Sequence, residues 1–162
     1  MEIQKSMRRL NCSDPTVLWK RFDSQIEPIF TYAAEVWGLE DVGSIEKVQT
    51  FAMKRFLSVP LHSSNKLLYG ETGRYPLFVR TAVECVKYWL KLTKLPLSRL
   101  SRKTYEMLLS EHNQFKVNWV SKIRRILTEN GFGIVRLCQG VGYEMLFVAK
   151  FKDRLISRYK QN

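Results

Sequence analysis

The chain reads as all-α, an irregular bundle of about six to eight helices, and three observations carry that reading. Apolar residues recur three or four apart through its longer segments. No stretch of strand length sustains a period-two alternation. Pro, Gly, Asn and Ser stand where one periodic segment gives way to the next. At 162 residues and 45% hydrophobic composition, one packed domain is within reach, since a chain of this size buries roughly 70% of its unfolded surface. The single division left open is a short hairpin near residues 132–142, within a glycine-punctuated connector.

Taken in order, Met1–Leu10 places Ile3, Met7 and Leu10 on one side and reads as the end of a helix. Asn11 to Pro15 is a stop and restart, with Asp14 as N-cap and Pro15 at the first helical position. A helix then runs to about Trp37 on the stripe Leu18, Phe22, Ile26, Ile29 and Ala33. Pro28 interrupts it. Pro28 cannot donate to the Ser24 carbonyl and its ring crowds that carbonyl, costing roughly 3 kcal/mol in a straight helix, so a bend is expected there. Gly38 and Gly43 break the chain, and Ser44 is the expected cap of a helix carrying Ile45, Val48, Ala52 and Phe56. Glu46 falls in its first turn, where the helix dipole favours an acid. Val59-Pro60 closes it.

Ser63–Asn65 can cap a short helix through Tyr69 that stops at Gly70. Pro76 opens the longest helix, to about Leu95, with Phe78, Ala82, Cys85, Trp89 and Leu92 on one face. Val79, Val83, Val86 and Leu90 widen that face, which implies burial on more than one side. Pro96 ends it. Ser98 or Ser101 caps a helix to about Glu111, and Asn118 caps another through Asn130, stopped by Gly131. The last helix, about Tyr143–Tyr159, aligns Phe147, Phe151 and Leu155. Residues 1–162 are thus expected to form a single helical domain, divided into 1–60, 61–130 and the connector with its basic helix, 131–162.

The net charge of +12 is unevenly spread. Residues 13–50 hold seven acids against three cations, residues 87–103 hold six cations and no acid, and residues 121–162 hold nine cations against three acids. An acidic front and a basic back point to an oriented polyanion partner. Lys87, Lys91 and Lys94 share one helix face; Lys122 and Arg125, or Arg124 alone, extend from the polar side of theirs; Lys150, Arg154 and Arg158 are spaced by four. These nine residues are the candidate phosphate contacts, against the plainer reading of a solvated surface.

Other chemistry finds little support. Cys12, Cys85 and Cys138 are odd in number and far apart, giving neither a disulfide framework nor a zinc pattern, and they suit a reducing compartment. Pairing of Cys85 with His112 is conceivable, but a thiol on an apolar helix face is normally inert. The Gly-x-Gly pairs at 131–133 and 140–142 follow a helix rather than a strand, so they make a poor phosphate cradle. Glu35, Glu40, Asp41 and Glu46 read as a solvated acidic face before a cation site. Trp19, Trp37, Trp89 and Trp119 lie on or beside apolar stripes and read as core before base-stacking platforms, with Trp119 the least decided. No metal, no cofactor and no small-molecule substrate is expected. No apolar run reaches the ~18 residues of a membrane span, and the first residues, with Glu2, show no secretory pattern. An intracellular location, nucleus or cytoplasm, without a membrane partner is the expectation.

One set of phrases goes further. Phe22-Asp23, Pro28-Ile29, Tyr32 and Glu35-Val36-Trp37-Gly38 are followed by Phe56-Leu57-Ser58-Val59-Pro60, then by Tyr69-Gly70-Glu71-Thr72-Gly73 with Tyr75-Pro76-Leu77. Leu97-Ser98-Arg99-Leu100 and Tyr105-Glu106-Met107-Leu108 come later. The series resembles the region behind the polymerase core in reverse transcriptases of non-LTR (LINE-type) retrotransposons. The resemblance marks Phe22, Asp23, Pro28, Tyr32, Glu35, Trp37, Gly38, Tyr69, Gly70, Glu71, Gly73 and Pro76 as structural positions. It implies thumb-like helices over 1–60, a helical linker over 61–130, and a partner in template–primer duplex or element RNA. The paired aspartates that hold catalytic metals in such enzymes are missing, since Asp14, Asp23, Asp41 and Asp153 are isolated. The zinc knuckle that often follows the region is missing too. The resemblance therefore implies a non-catalytic piece of an RNA-directed DNA polymerase, and a start methionine at this point implies a truncated copy. A helical protein–protein interaction module without a nucleic-acid role is the alternative.

Overall fold

A computed structural model describes residues 14–40, 42–111 and 117–161. Among these residues every regular element is helical, as the periodicities require. The elements are α1 (Pro15–Arg21), a π-helical segment (Phe22–Ile26), α2 (Glu27–Thr31), α3 (Ala34–Trp37), α4 (Gly43–Phe56) and α5 (Asn65–Thr72), then α6 (Leu77–Lys94), α7 (Leu100–Ser110), α8 (Trp119–Glu129), α9 (Gly133–Leu137) and α10 (Glu144–Gln161). The expected helix over Met1–Leu10 lies outside the described residues.

The described residues form two compact units: those up to 32 with 43–74, and those of 33–42 with those from 75 onward. Their boundaries fall elsewhere than the sequence divisions at 60/61 and 130/131.

In the first unit Asp14 caps α1 as expected, its carboxylate accepting from the Thr16 amide at 2.8 Å. The helix then widens. Across Phe22–Ile26 the backbone takes the π form, and the Glu27 amide donates to the Phe22 carbonyl five residues back. Pro28 thereby enters at the start of α2, a position that needs no amide donor. The extra residue in the turn also shifts the buried face by one place. Leu18 and Phe22 are buried, but the next buried position is Glu27 rather than Ile26, and Ile29 is 73% exposed. The expected continuous stripe to Ala33 is therefore not formed, and the helix ends at Thr31 instead of near Trp37.

Two further boundaries depart from the expectation. α4 begins at Gly43, so Ser44 lies inside its first turn instead of capping it. α5 runs through Gly70 and stops at Gly73, whose φ of +64° is the left-handed conformation a helix end uses. α4 itself closes with paired bonds, Ser58 to the Arg55 carbonyl and Val59 to the Lys54 carbonyl, around a left-handed Ser58.

The second unit is built on α6. Pro76 precedes it, and the face expected to be apolar is buried on two sides: Val79, Ala82, Val83, Cys85, Val86, Trp89, Leu90 and Leu92. Val120, Ile123, Ile126 and Leu127 of α8 and Phe147, Phe151 and Leu155 of α10 complete the same core. Phe132 meets Phe147 and Phe151 edge-on, with ring centroids 5.3 and 5.8 Å apart. Asn118 caps α8 reciprocally with Ser121, and Gly131 ends it at φ +85°. α7 begins after Arg99, with neither Ser98 nor Ser101 as cap. Residues 133–137 form the short helix α9, so the connector holds no hairpin over 132–142. α10 starts one residue later than expected and runs to Gln161.

Candidate nucleic-acid interface

The cationic candidates sit on α6, α8 and α10. Almost all of α6 is committed to the core, which leaves Arg80, Glu84, Lys87, Lys91 and Lys94 as a narrow polar strip. α10 lies antiparallel to α6: Lys94 Nζ is 2.9 Å from Glu144 Oε1 at one end, and Lys160 Nζ stands 5.9 Å over the Tyr75 ring at the other. Lys150, Arg154 and Arg158 follow each other along one flank of the buried α10 seam of Phe147, Phe151 and Leu155.

Their pairing separates the nine. Lys87 bonds Glu84 at 2.8 Å, Lys94 bonds Glu144, Arg125 reaches Glu129 at 3.8 Å, and Arg158 reaches the same Glu129 at 3.3 Å. The pairs of Lys87, Arg125 and Arg158 are exposed, each worth little and open to exchange with another anion; in the Lys94 pair the facing Glu144 oxygen is buried. Lys122 differs. It is largely buried and held by Glu40, so it braces the 33–42 segment against α8. Arg124 is exposed, and it adds to burial in pushing the Arg136 pKa below its ordinary value. Lys91, Lys150 and Arg154 are exposed and make no ion pair among the described residues.

The residues marked by the resemblance divide between the units. In the first, Arg74 gathers four side chains. Its guanidinium pairs with Asp23, lies 3.8 Å from the buried Glu27, and stacks over the Trp19 ring at 4.3 Å and the Phe22 ring at 5.6 Å. Tyr69 is buried and donates to Glu46. Gly70 has open space where a Cβ would stand. Glu71, Pro28 and Tyr32 are exposed.

In the second unit α3 packs on α6 without slack. A Cβ on Gly38 would lie 2.4 Å from the Ala34 carbonyl oxygen and 2.7 Å from Thr81 Cβ. Thr81 Oγ1 donates to the Gly38 carbonyl at 2.9 Å, and Cys85 Sγ donates to the Ala34 carbonyl at 3.1 Å. Ala34 with Gly38, and Thr81 with Cys85, are each spaced by four. Two small residues on one helix meet two short donors on the other.

Comparison with known protein families, curated proteins and solved structures finds no match to this chain.

The remaining candidates resolve in structural terms. Burial pushes the Cys85 thiol up to about 12, so it stays protonated and unreactive near neutral pH. His112, its conceivable partner, lies outside the described residues, as do Cys12 and Asp41. Glu40 and Glu46 are engaged by Lys122 and Tyr69. Among the described residues no group of three His, Cys, Asp or Glu could hold a metal, and no helix is long and apolar enough to cross a membrane. Trp89 is buried and donates to the Tyr105 hydroxyl at 3.1 Å, and that hydroxyl donates to Gln139 Oε1 at 2.9 Å. Trp119 donates to the Glu35 carbonyl at 3.1 Å and meets Tyr88 edge-on, so its ring edge is spent inside the unit.

Sequence reasoning passed over Arg74, Thr81 and Gln139. Only Arg74 left a trace: it follows the turn glycine Gly73 within a marked phrase.

Proposed function

We propose that this chain is a non-catalytic module of a retrotransposon-encoded RNA-directed DNA polymerase and contacts nucleic-acid backbone, in nucleus or cytoplasm. The phrases from Phe22 to Pro76 support the family reading. The observation that carries the binding reading is the set of exposed cations Lys91, Lys150 and Arg154 on two antiparallel helices, unpaired among the described residues. Cations of this kind neutralise phosphates and release counterions without reading base sequence. Lys87, Arg125 and Arg158 join them when a phosphate replaces their exposed carboxylate partners. Lys122 drops out, because its charge is already used internally.

The test is binding of duplex and single-stranded RNA across a salt series. With the three unpaired cations engaged, log K should fall with log salt at a slope of about −3 on a duplex, approaching −5 if the three exposed pairs exchange. Lys91→Gln with Lys150→Gln and Arg154→Gln should remove most of that slope and leave thermal stability unchanged. A slope near zero in the parent chain overturns the reading.

A further inference from the structure

Phosphate contact leaves one end of the second unit unexplained. Leu97, Leu100, Tyr143, Met145 and Leu146 stand there 66%, 79%, 79%, 85% and 53% exposed. Two fastenings bring the segments that carry them together. Arg102 donates from its guanidinium to the Leu92 carbonyl at 2.9 Å, tying the start of α7 to the last turn of α6. The Lys94–Glu144 pair, at 2.9 Å, ties the start of α10 to the same turn. Leucine, methionine and tyrosine side chains are costly to leave in water.

The uncompensated charge at this end is positive. Residues 85–105 hold no acid. Arg99 lies between Leu97 and Leu100 and Lys103 lies one turn beyond; both are exposed and make no ion pair among the described residues. The nearby acids Glu106 and Glu144 are engaged by Arg102 and Lys94.

We propose that this end, with Leu97, Leu100, Tyr143, Met145 and Leu146 projecting and Arg99 and Lys103 beside them, is a docking surface for an anionic lipid bilayer. Nucleic-acid phosphates would use the cations and leave the aliphatic side chains wet. A bilayer interface uses both. Its acyl boundary takes leucine and methionine, its headgroup level suits a tyrosine ring, and anionic headgroups attract arginine and lysine. Such adsorption needs no spanning helix. A second copy of this chain fits poorly, because two surfaces of the same positive sign would face each other.

The test is co-sedimentation of the whole chain with phosphatidylcholine vesicles, with and without phosphatidylserine. Binding should appear on the phosphatidylserine vesicles and be at least about tenfold weaker on phosphatidylcholine alone. Leu97→Ser with Leu100→Ser keeps the charge, touches exposed positions only, and should weaken vesicle binding about tenfold. RNA binding by the same variant should not change, which separates this surface from the phosphate contacts. Absence of binding to phosphatidylserine vesicles overturns the proposal. So does a leucine variant that binds them as well as the parent, since adsorption would then be electrostatic alone and belong to the cations that serve RNA.

Discussion

The segment from Phe22 to Gly38 is continuous in sequence and split in structure. Its first part belongs to one unit and its second part to the other. The two parts are held by different physics. Residues 22–31 bend through a π turn and are secured by one long side chain, Arg74, through charge and ring contacts. Residues 34–38 are secured by the absence of side chains, since Ala34 and Gly38 let α3 approach α6 until Thr81 and Cys85 reach its carbonyls. A flexible cation tolerates displacement because it can follow its partners. A steric fit does not. Substitutions should therefore cost more in the second part than in the first.

The sharpest way to break this contrast is Gly38→Ala. The added carbon has nowhere to go among backbone and Thr81 atoms, and a loss of about 3 kcal/mol is expected by urea unfolding, at the upper end of overpacking costs. A loss below about 0.5 kcal/mol would show that α3 can move away freely.

Arg74→Ala should cost less, about 2 kcal/mol. It removes the stacking over Trp19 and the pair with Asp23, and it takes the guanidinium away from a buried Glu27. Arg74→Lys should recover only part of that loss, because an ammonium cannot lie flat over the indole. Full recovery by lysine would assign the effect to charge alone.

Pro28→Ala should cost or gain least, within about 0.5 kcal/mol. In a straight helix removal of the proline would relieve roughly 3 kcal/mol of strain; at the start of α2 little strain remains to relieve. A large stabilisation on thermal unfolding would mean that the π turn is imposed by the proline at a cost.

Much of the fold was legible because it rests on spacing. α6, α8 and α10 follow their apolar periodicity and their caps at Asn118 and Gly131 closely. The segment around Pro28 was legible only as trouble: one added residue in a turn changes which side chains are buried, and no local pattern announces it. The helix through Gly70 was misplaced for a related reason, since the stop depends on which glycine takes a positive φ, and that is Gly73. The cationic candidates were legible as residues but their availability was not. Pairing depends on acids distant in sequence, such as Glu40 for Lys122 and Glu144 for Lys94. Exposure of Leu97 or Met145 is likewise decided by which neighbours fail to cover them.

Ser58 and Gln139 both hold the left-handed conformation at a helix end, at φ 54° and 49°, where glycine is the usual occupant. An engineer seeking a more robust variant would write glycine at both. At Ser58, which is exposed, the exchange relaxes the backbone and surrenders nothing evident. At Gln139 it would end the relay from the Trp89 indole through the Tyr105 hydroxyl, leaving the hydroxyl proton without its acceptor. The residue that suits the backbone and the residue that suits the interior are different amino acids at Gln139, and the chain has kept the second.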